Sequence, residues 1–198
     1  QPDSPDMVLQ ARNTRFGACG SAMPESGWVA SQNRYNFGLM SILPTMYLPD
    51  EAATRRLGAV LTRVLAPGDV LALDGDLGAG KTTLARGLIQ SFLGRAEPVP
   101  SPTFTLLQAY ESGPTGVTVW HFDLYRLTDP QDVLELGWDD ACATGICLVE
   151  WPERAGHHMP ESALWLHLAD QAAGRSAVFD GNSSWPKRLN GLAEGLAA

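Results

Sequence analysis

"DVLALDGDLGAGKTTLARGLIQSFL", residues 69–93, decides the fold. Its opening, "DVLALD", is a short apolar run without alternation, the pattern of a strand buried on both faces of a sheet. Its end reads as an amphipathic helix from about Lys81 to Leu93, with Leu84, Leu88, Ile89 and Phe92 on the inner side. Between them lies a glycine-rich turn. Gly75, Gly80, Lys81 and Thr82 complete the pattern GxxxxGK(S/T). Glycines allow successive N–H groups to converge on an anion, and the following helix adds its positive N-terminal end. Lys81 is placed to reach outer phosphates and the Thr82 hydroxyl to coordinate Mg²⁺. Strand, loop and helix in this order imply nucleotide binding.

Upstream, "MYLPDEAATRRLGAVLTRVLAPGD" predicts a short extended piece and then a helix. Asp50 is its N-cap, Ala53, Leu57, Val60, Leu61, Val64 and Leu65 share one face, and Pro67-Gly68 ends it. Downstream, "TFTLLQAY" and "VTVWHFDLY" read as a hairpin joined through "ESGPTG". "TDPQDVLELG" carries a helix start, with Asp129 as cap and Pro130 in the first turn. "GICLVEW" is a further buried strand, and "ALWLHLA" and "RSAVFD" flank "DQAAG" as a late hairpin. A short helix is expected in "WPKRLNGLAEGLAA". The expected fold is α/β, a P-loop domain over residues 40–198 with a mixed, partly parallel sheet flanked by helices. Residues 1–39, rich in Gly, Ser, Pro and Asn without a steady period, are expected to form a poorly ordered extension.

The bulk properties narrow the function. The 198 residues carry 14 Lys and Arg against 22 Asp and Glu, a formal charge of -8. That balance opposes direct, tight nucleic-acid binding, which needs many cations on phosphates. Cys19, Cys142 and Cys147 form neither a CxxC pair nor an even framework, so reduced thiols are expected. The apolar runs fall short of a membrane span, and no basic start precedes an apolar stretch. The expected location is the cytoplasm.

Phosphoryl chemistry also needs an acid beside the loop to complete the metal site. Asp123 ends "VTVWHFD" and Glu150 ends "ICLVE". Strands of such sheets deliver their C-terminal residues to the phosphate loop. One acid could serve Mg²⁺ and the other the attacking water; spacing leaves the assignment open. Thr103 in "SPTFT" is a candidate sensor of the outer phosphate. His121 reads as a hydrogen-bonding neighbour rather than a base. Trp151 reads as core, or as a surface for a base or a partner. His157-His158 is expected in an extended segment with the two rings pointing apart, and so makes a poor metal site.

Several stretches together resemble one family. "LPDEAATRRLG", "GDLGAGKTTLARG", "SPTFTL", "HFDLYRL" and "LVEWPER" stand in the order and approximate spacing of the TsaE family, over about residues 44–180. The resemblance implies an ATPase of the pathway that makes threonylcarbamoyladenosine in tRNA. It implies that Gly78, Ala79, Gly80, Lys81, Thr82 and Thr83 hold the phosphates of ATP, and that Thr82 and Glu150 bind Mg²⁺. Asp123 becomes a catalytic or water-orienting acid. Thr54 and Arg175 fall where the family contacts the nucleotide, Thr103 in its switch-like segment, and Trp151 at the tryptophan after the metal-binding acid. The implied partner is the TsaB–TsaD threonylcarbamoyl transferase, which hydrolysis would reset, with tRNA met only indirectly and no membrane involved.

Two rivals share the phosphate loop. A small-molecule kinase usually closes an Arg-rich lid over the transferred group. Arg126 and Arg154 stand alone after the central strands. A GTP switch generally carries Asn-Lys-x-Asp, which this sequence lacks.

Overall fold

The computed structural model describes residues 41–112, 116–190 and 192. The extension expected over residues 1–39 therefore lies outside the described residues, as do Cys19 and most of the tail beyond residue 190.

The fold is α/β, built on a seven-stranded mixed sheet. The strands are β1 (Met46–Leu48), β2 (Val70–Asp74), β3 (Leu107–Glu111), β4 (Thr118–Asp123), β5 (Ile146–Glu150), β6 (Leu164–Asp170) and β7 (Arg175–Asp180). Their order is β1-β7-β6-β2-β5-β4-β3. The central four, β6, β2, β5 and β4, are parallel, while β3, β7 and β1 attach antiparallel at the edges. In β2 and β5 the lack of alternation corresponds to burial on both faces. Leu71, Leu73, Ile146 and Leu148 pack on the side that holds α1 (Glu51–Leu61) and α2 (Lys81–Leu93). Val70, Cys147 and Val149 pack on the other side, with Trp138 and Ala141 of α3 (Trp138–Thr144).

α1 is capped by Asp50, whose carboxylate accepts from the Ala53 amide at 2.6 Å. α1 and α2 meet through two glycines. A Cβ on Gly58 would strike the Leu84 carbonyl, and one on Gly87 would strike the carbonyl of Arg55. This close approach fixes α2, and with it the phosphate loop at its start. α4 (Trp185–Arg188) closes the domain: Trp185 Nε1 donates to the Ser162 carbonyl at 2.9 Å, and Arg188 pairs with Asp69 beside β2.

Four expectations are corrected. The first helix stops at Leu61 instead of running to Pro67; turn bonds from Arg63 and Val64 close it. "TFTL" is a turn rather than the start of a strand, because the Leu106 amide returns to the Pro102 carbonyl and Leu106 takes φ 63°. "PQDVLEL" winds as a 3₁₀ segment, Pro130–Leu136, with Asp129 capping it as expected, and α3 follows it unanticipated. His157 and His158 close the Pro152–His158 segment, whose 3₁₀ turns are broken by a kink at Gly156 (φ 56°); just beyond that kink their ring centroids lie 4.0 Å apart instead of pointing apart. Among the described residues, no helix is long and apolar enough to cross a membrane.

Candidate functional site

β2 ends at Asp74, and residues 75–80 wrap back to deliver Lys81 as the first residue of α2. Gly80 sits at φ 104° as the helix N-cap, a left-handed conformation that favours glycine, and no side chain caps the helix there. The first amides of α2 are thus left facing the cleft, where an anion can meet them. A Cβ on Gly80 would also come within 3.0 Å of Arg175 Nε, so Arg175, the first residue of β7, lies against the loop.

Lys81 is almost fully buried. Its Nζ donates to the carbonyls of Gly75 at 2.5 Å and Asp76 at 2.8 Å, and lies 3.9 Å from the centre of the Trp151 ring. Burial pushes its pKa below the ordinary lysine value, while the negative charges of Glu150 and Asp74 pull it back up. Trp151 reaches this position at φ 59°, a conformation that costs an L-residue about 1–2 kcal/mol. Its ring is braced by Tyr125 at 4.9 Å between centroids.

The two acids meet because of strand register. Asp123 and Glu150 are paired across parallel β4 and β5, so both side chains emerge on the face that carries α2. Glu150 Oε2 accepts from the Thr82 hydroxyl at 2.9 Å, and its Oε1 lies 2.9 Å from His121 Nε2. Asp123 Oδ2 accepts from the hydroxyls of Ser101 and Thr103, each at 2.6 Å, and Oδ1 from the Tyr125 amide at 3.1 Å. Both acids are 3% exposed, so these bonds are their solvation.

Together these groups line a cleft of about 330 Å³. Gly78, Gly80, Lys81, Thr82, Thr83, Thr103, Asp123, Glu150 and Trp151 all face it. Ala79, a residue of the loop itself, is buried and does not line the cleft. Thr54 is not in the lining: it is buried in α1, and its hydroxyl donates to the Asp50 carbonyl at 3.1 Å. Arg175 touches the loop without lining the cleft. Leu77, Ser101 and Tyr125 line it without having been singled out in the sequence. For Ser101 a signal existed: it stands two residues before Thr103 in the same turn.

The donor set suits magnesium. Thr82 and Glu150 offer hard oxygen donors in contact, and no group of three or more His, Cys, Asp or Glu among the described residues could hold a metal ion. Magnesium prefers such a partial site, taking one or two protein oxygens and completing its shell with phosphate and water.

The family model described as threonylcarbamoyl adenosine biosynthesis protein TsaE matches residues 48–177. The chain is 41% identical over 123 residues to the tRNA threonylcarbamoyladenosine biosynthesis protein TsaE of Rickettsia felis, covering 62% of this chain and 71% of that one. It is 39% identical over 130 residues to the protein of that name from Haemophilus influenzae, covering 63% and 80%. Among solved structures, Bacillus subtilis YdiB superposes with a TM-score of 0.58 at 26% identity, covering 76% of this chain and 93% of that one. On the match of its residues 48–177 and on these relatives, the chain belongs to the TsaE family.

Proposed function

We propose that this chain binds ATP with Mg²⁺ in the cleft above the glycine loop and hydrolyses it, in the service of tRNA threonylcarbamoyladenosine biosynthesis. The observation that carries the reading is the contact between Thr82 and Glu150 at the mouth of the loop, with Asp123 on the adjacent strand. In this reading Lys81 leaves the Trp151 ring and the loop carbonyls to neutralise the outer phosphates. Thr82 and Glu150 hold the magnesium ion, which supplies charge neutralisation at the leaving oxygens. Asp123, with its carboxylate aimed by Ser101, Thr103 and the Tyr125 amide, orients the attacking water. Thr103 couples that acid to the 101–106 turn, so nucleotide state is felt at the surface beside Phe104. Arg175 contributes positive charge at the start of α2; Thr54 acts from within α1, where its hydroxyl closes the first turn on the Asp50 carbonyl.

The proposed role of hydrolysis is to reset the TsaB–TsaD threonylcarbamoyl transferase between turnovers, in the cytoplasm, with tRNA held by that assembly. The acid excess of the chain supports indirect contact with tRNA. The test is ATP hydrolysis by the purified chain, alone and with the TsaB–TsaD subunits, alongside transferase turnover. Weak hydrolysis stimulated by the assembly, and transferase cycling that needs both ATP and this chain, are expected. Full cycling without the chain or without ATP would refute the role.

A further inference from the structure

His121 stands in β4 with no exposed surface, two residues before Asp123. Across the parallel ladder it faces Leu148, so its ring lies on the same face as Glu150 and reaches it sideways. Glu150 thus has a different partner on each oxygen: Thr82 on Oε2 and His121 on Oε1. A carboxylate held at one oxygen can still swing about its last torsion, a soft coordinate. Held at both, it cannot.

The tautomer follows from burial. His121 Nδ1 is buried and has no hydrogen-bond partner among the described residues. A proton there would leave an N–H donor unpaired and turn the Nε2 lone pair toward a carboxylate. A proton on Nε2 makes one charge-assisted bond and leaves only a bare acceptor at Nδ1, the cheaper arrangement. His121 does not line the cleft. It meets the cleft through Glu150 rather than directly.

We infer that His121 is a positioning residue: through its Nε2–H it fixes the Glu150 carboxylate in the one orientation that presents it, together with the Thr82 hydroxyl, to magnesium. This rests on the proposed magnesium–nucleotide reading of the cleft. Partners that orient a metal-binding carboxylate typically set metal affinity by about 10- to 100-fold. A merely structural histidine would instead change stability and nucleotide affinity without regard to the metal.

Titration calorimetry with ADP, in EDTA and across a Mg²⁺ series, separates the possibilities for the wild type, His121→Leu and His121→Gln. In the wild type Mg²⁺ should tighten ADP binding. His121→Leu should need about 10- to 100-fold more Mg²⁺ for that tightening, with ADP affinity in EDTA changed by less than about twofold. His121→Gln, whose amide nitrogen can replace Nε2, should recover most of the loss. Unchanged Mg²⁺ dependence in folded His121→Leu, or equal losses with and without Mg²⁺, would overturn the inference while leaving the cleft reading intact. A wild type whose ADP binding ignores Mg²⁺ would overturn the cleft reading, and this inference with it. Should His121→Leu fail to fold, ¹⁵N NMR of the wild-type histidines decides. A proton on Nε2 of His121 whose resonance moves when Mg²⁺ joins the ADP complex supports the inference; a proton on Nδ1, or a resonance blind to Mg²⁺, refutes it.

Discussion

Three donors converge on the Asp123 carboxylate, two hydroxyls on Oδ2 and one amide on Oδ1. Hydrogen bonds to a charged group contribute about 1.5–3 kcal/mol each, so removing one should cost about tenfold in a step that depends on the orientation of that acid. Thr103→Val is accordingly expected to slow single-turnover ATP hydrolysis about tenfold with nucleotide affinity held, and Thr103→Ser to restore it. Asp123→Asn should lose more, about 100-fold or beyond. Equal rates in wild type and Asp123→Asn would remove Asp123 from the chemistry. The identities of both acids were legible in the sequence, because an acid at the end of an apolar run reads locally. Their position at strand ends did not divide the roles between them; only the family resemblance did. The contact of Thr82 with Glu150 depends on β5 lying next to β2, a choice of strand order that no local pattern in residues 69–93 or 146–150 contains. Ser101 went unseen for a related reason: a serine before a proline reads as a turn until the carboxylate it serves arrives from 22 residues away.

Among the elements, α2 matters most, because it carries the loop's lysine and threonine at its first turn. Its position is set by backbone contact with α1 at Gly58 and Gly87. Replacing Gly87 by alanine sets two effects against each other. Helix propensity gains about 1 kcal/mol. The added Cβ meets the main chain of Arg55, which cannot rotate away, and overpacking of this kind costs about 1–3 kcal/mol. The steric term should win, so urea denaturation of Gly87→Ala is expected to show a net loss of up to about 2 kcal/mol; a stabilised variant would mean that the helices are not in contact there. The periodic helices α1 and α2, and the uninterrupted apolar runs of β2 and β5, were readable from the chain alone. The short ones were misjudged where side chains or turn bonds overrode periodicity. Examples are the 101–106 turn bound to Asp123, the 3₁₀ winding after Pro130, and α3, whose seven residues are too few to display a helical repeat.

At the scale of the whole molecule, β2 runs through the middle of the sheet and ends where charge gathers. Asp74, its last residue, lies 2.7 Å from His167 Nδ1 on the neighbouring strand β6. That hydrogen bond holds the Asp74 carboxyl below its ordinary pKa, against the opposing effect of burial. A carboxyl whose folded value lies below its unfolded value of about 3.9 stabilises the fold above that pH, and the contribution is lost as the pH falls through the folded value. The difference in melting temperature between wild type and Asp74→Asn should therefore be present at about pH 5–6 and shrink as the pH is lowered below about 4. A difference that stays constant across that range would show that the charge of Asp74 does not matter. The same strand end anchors the loop on which the functional reading depends: converging amides, one buried ammonium, and a hydroxyl touching a carboxylate. Calorimetry of adenine nucleotide binding at millimolar Mg²⁺ tests that reading most directly. Saturable uptake at one site, tightened by Mg²⁺ and lost in Lys81→Ala, is predicted; a well-folded wild-type chain that takes up no adenine nucleotide, or a Lys81→Ala variant that binds as the wild type does, would contradict it.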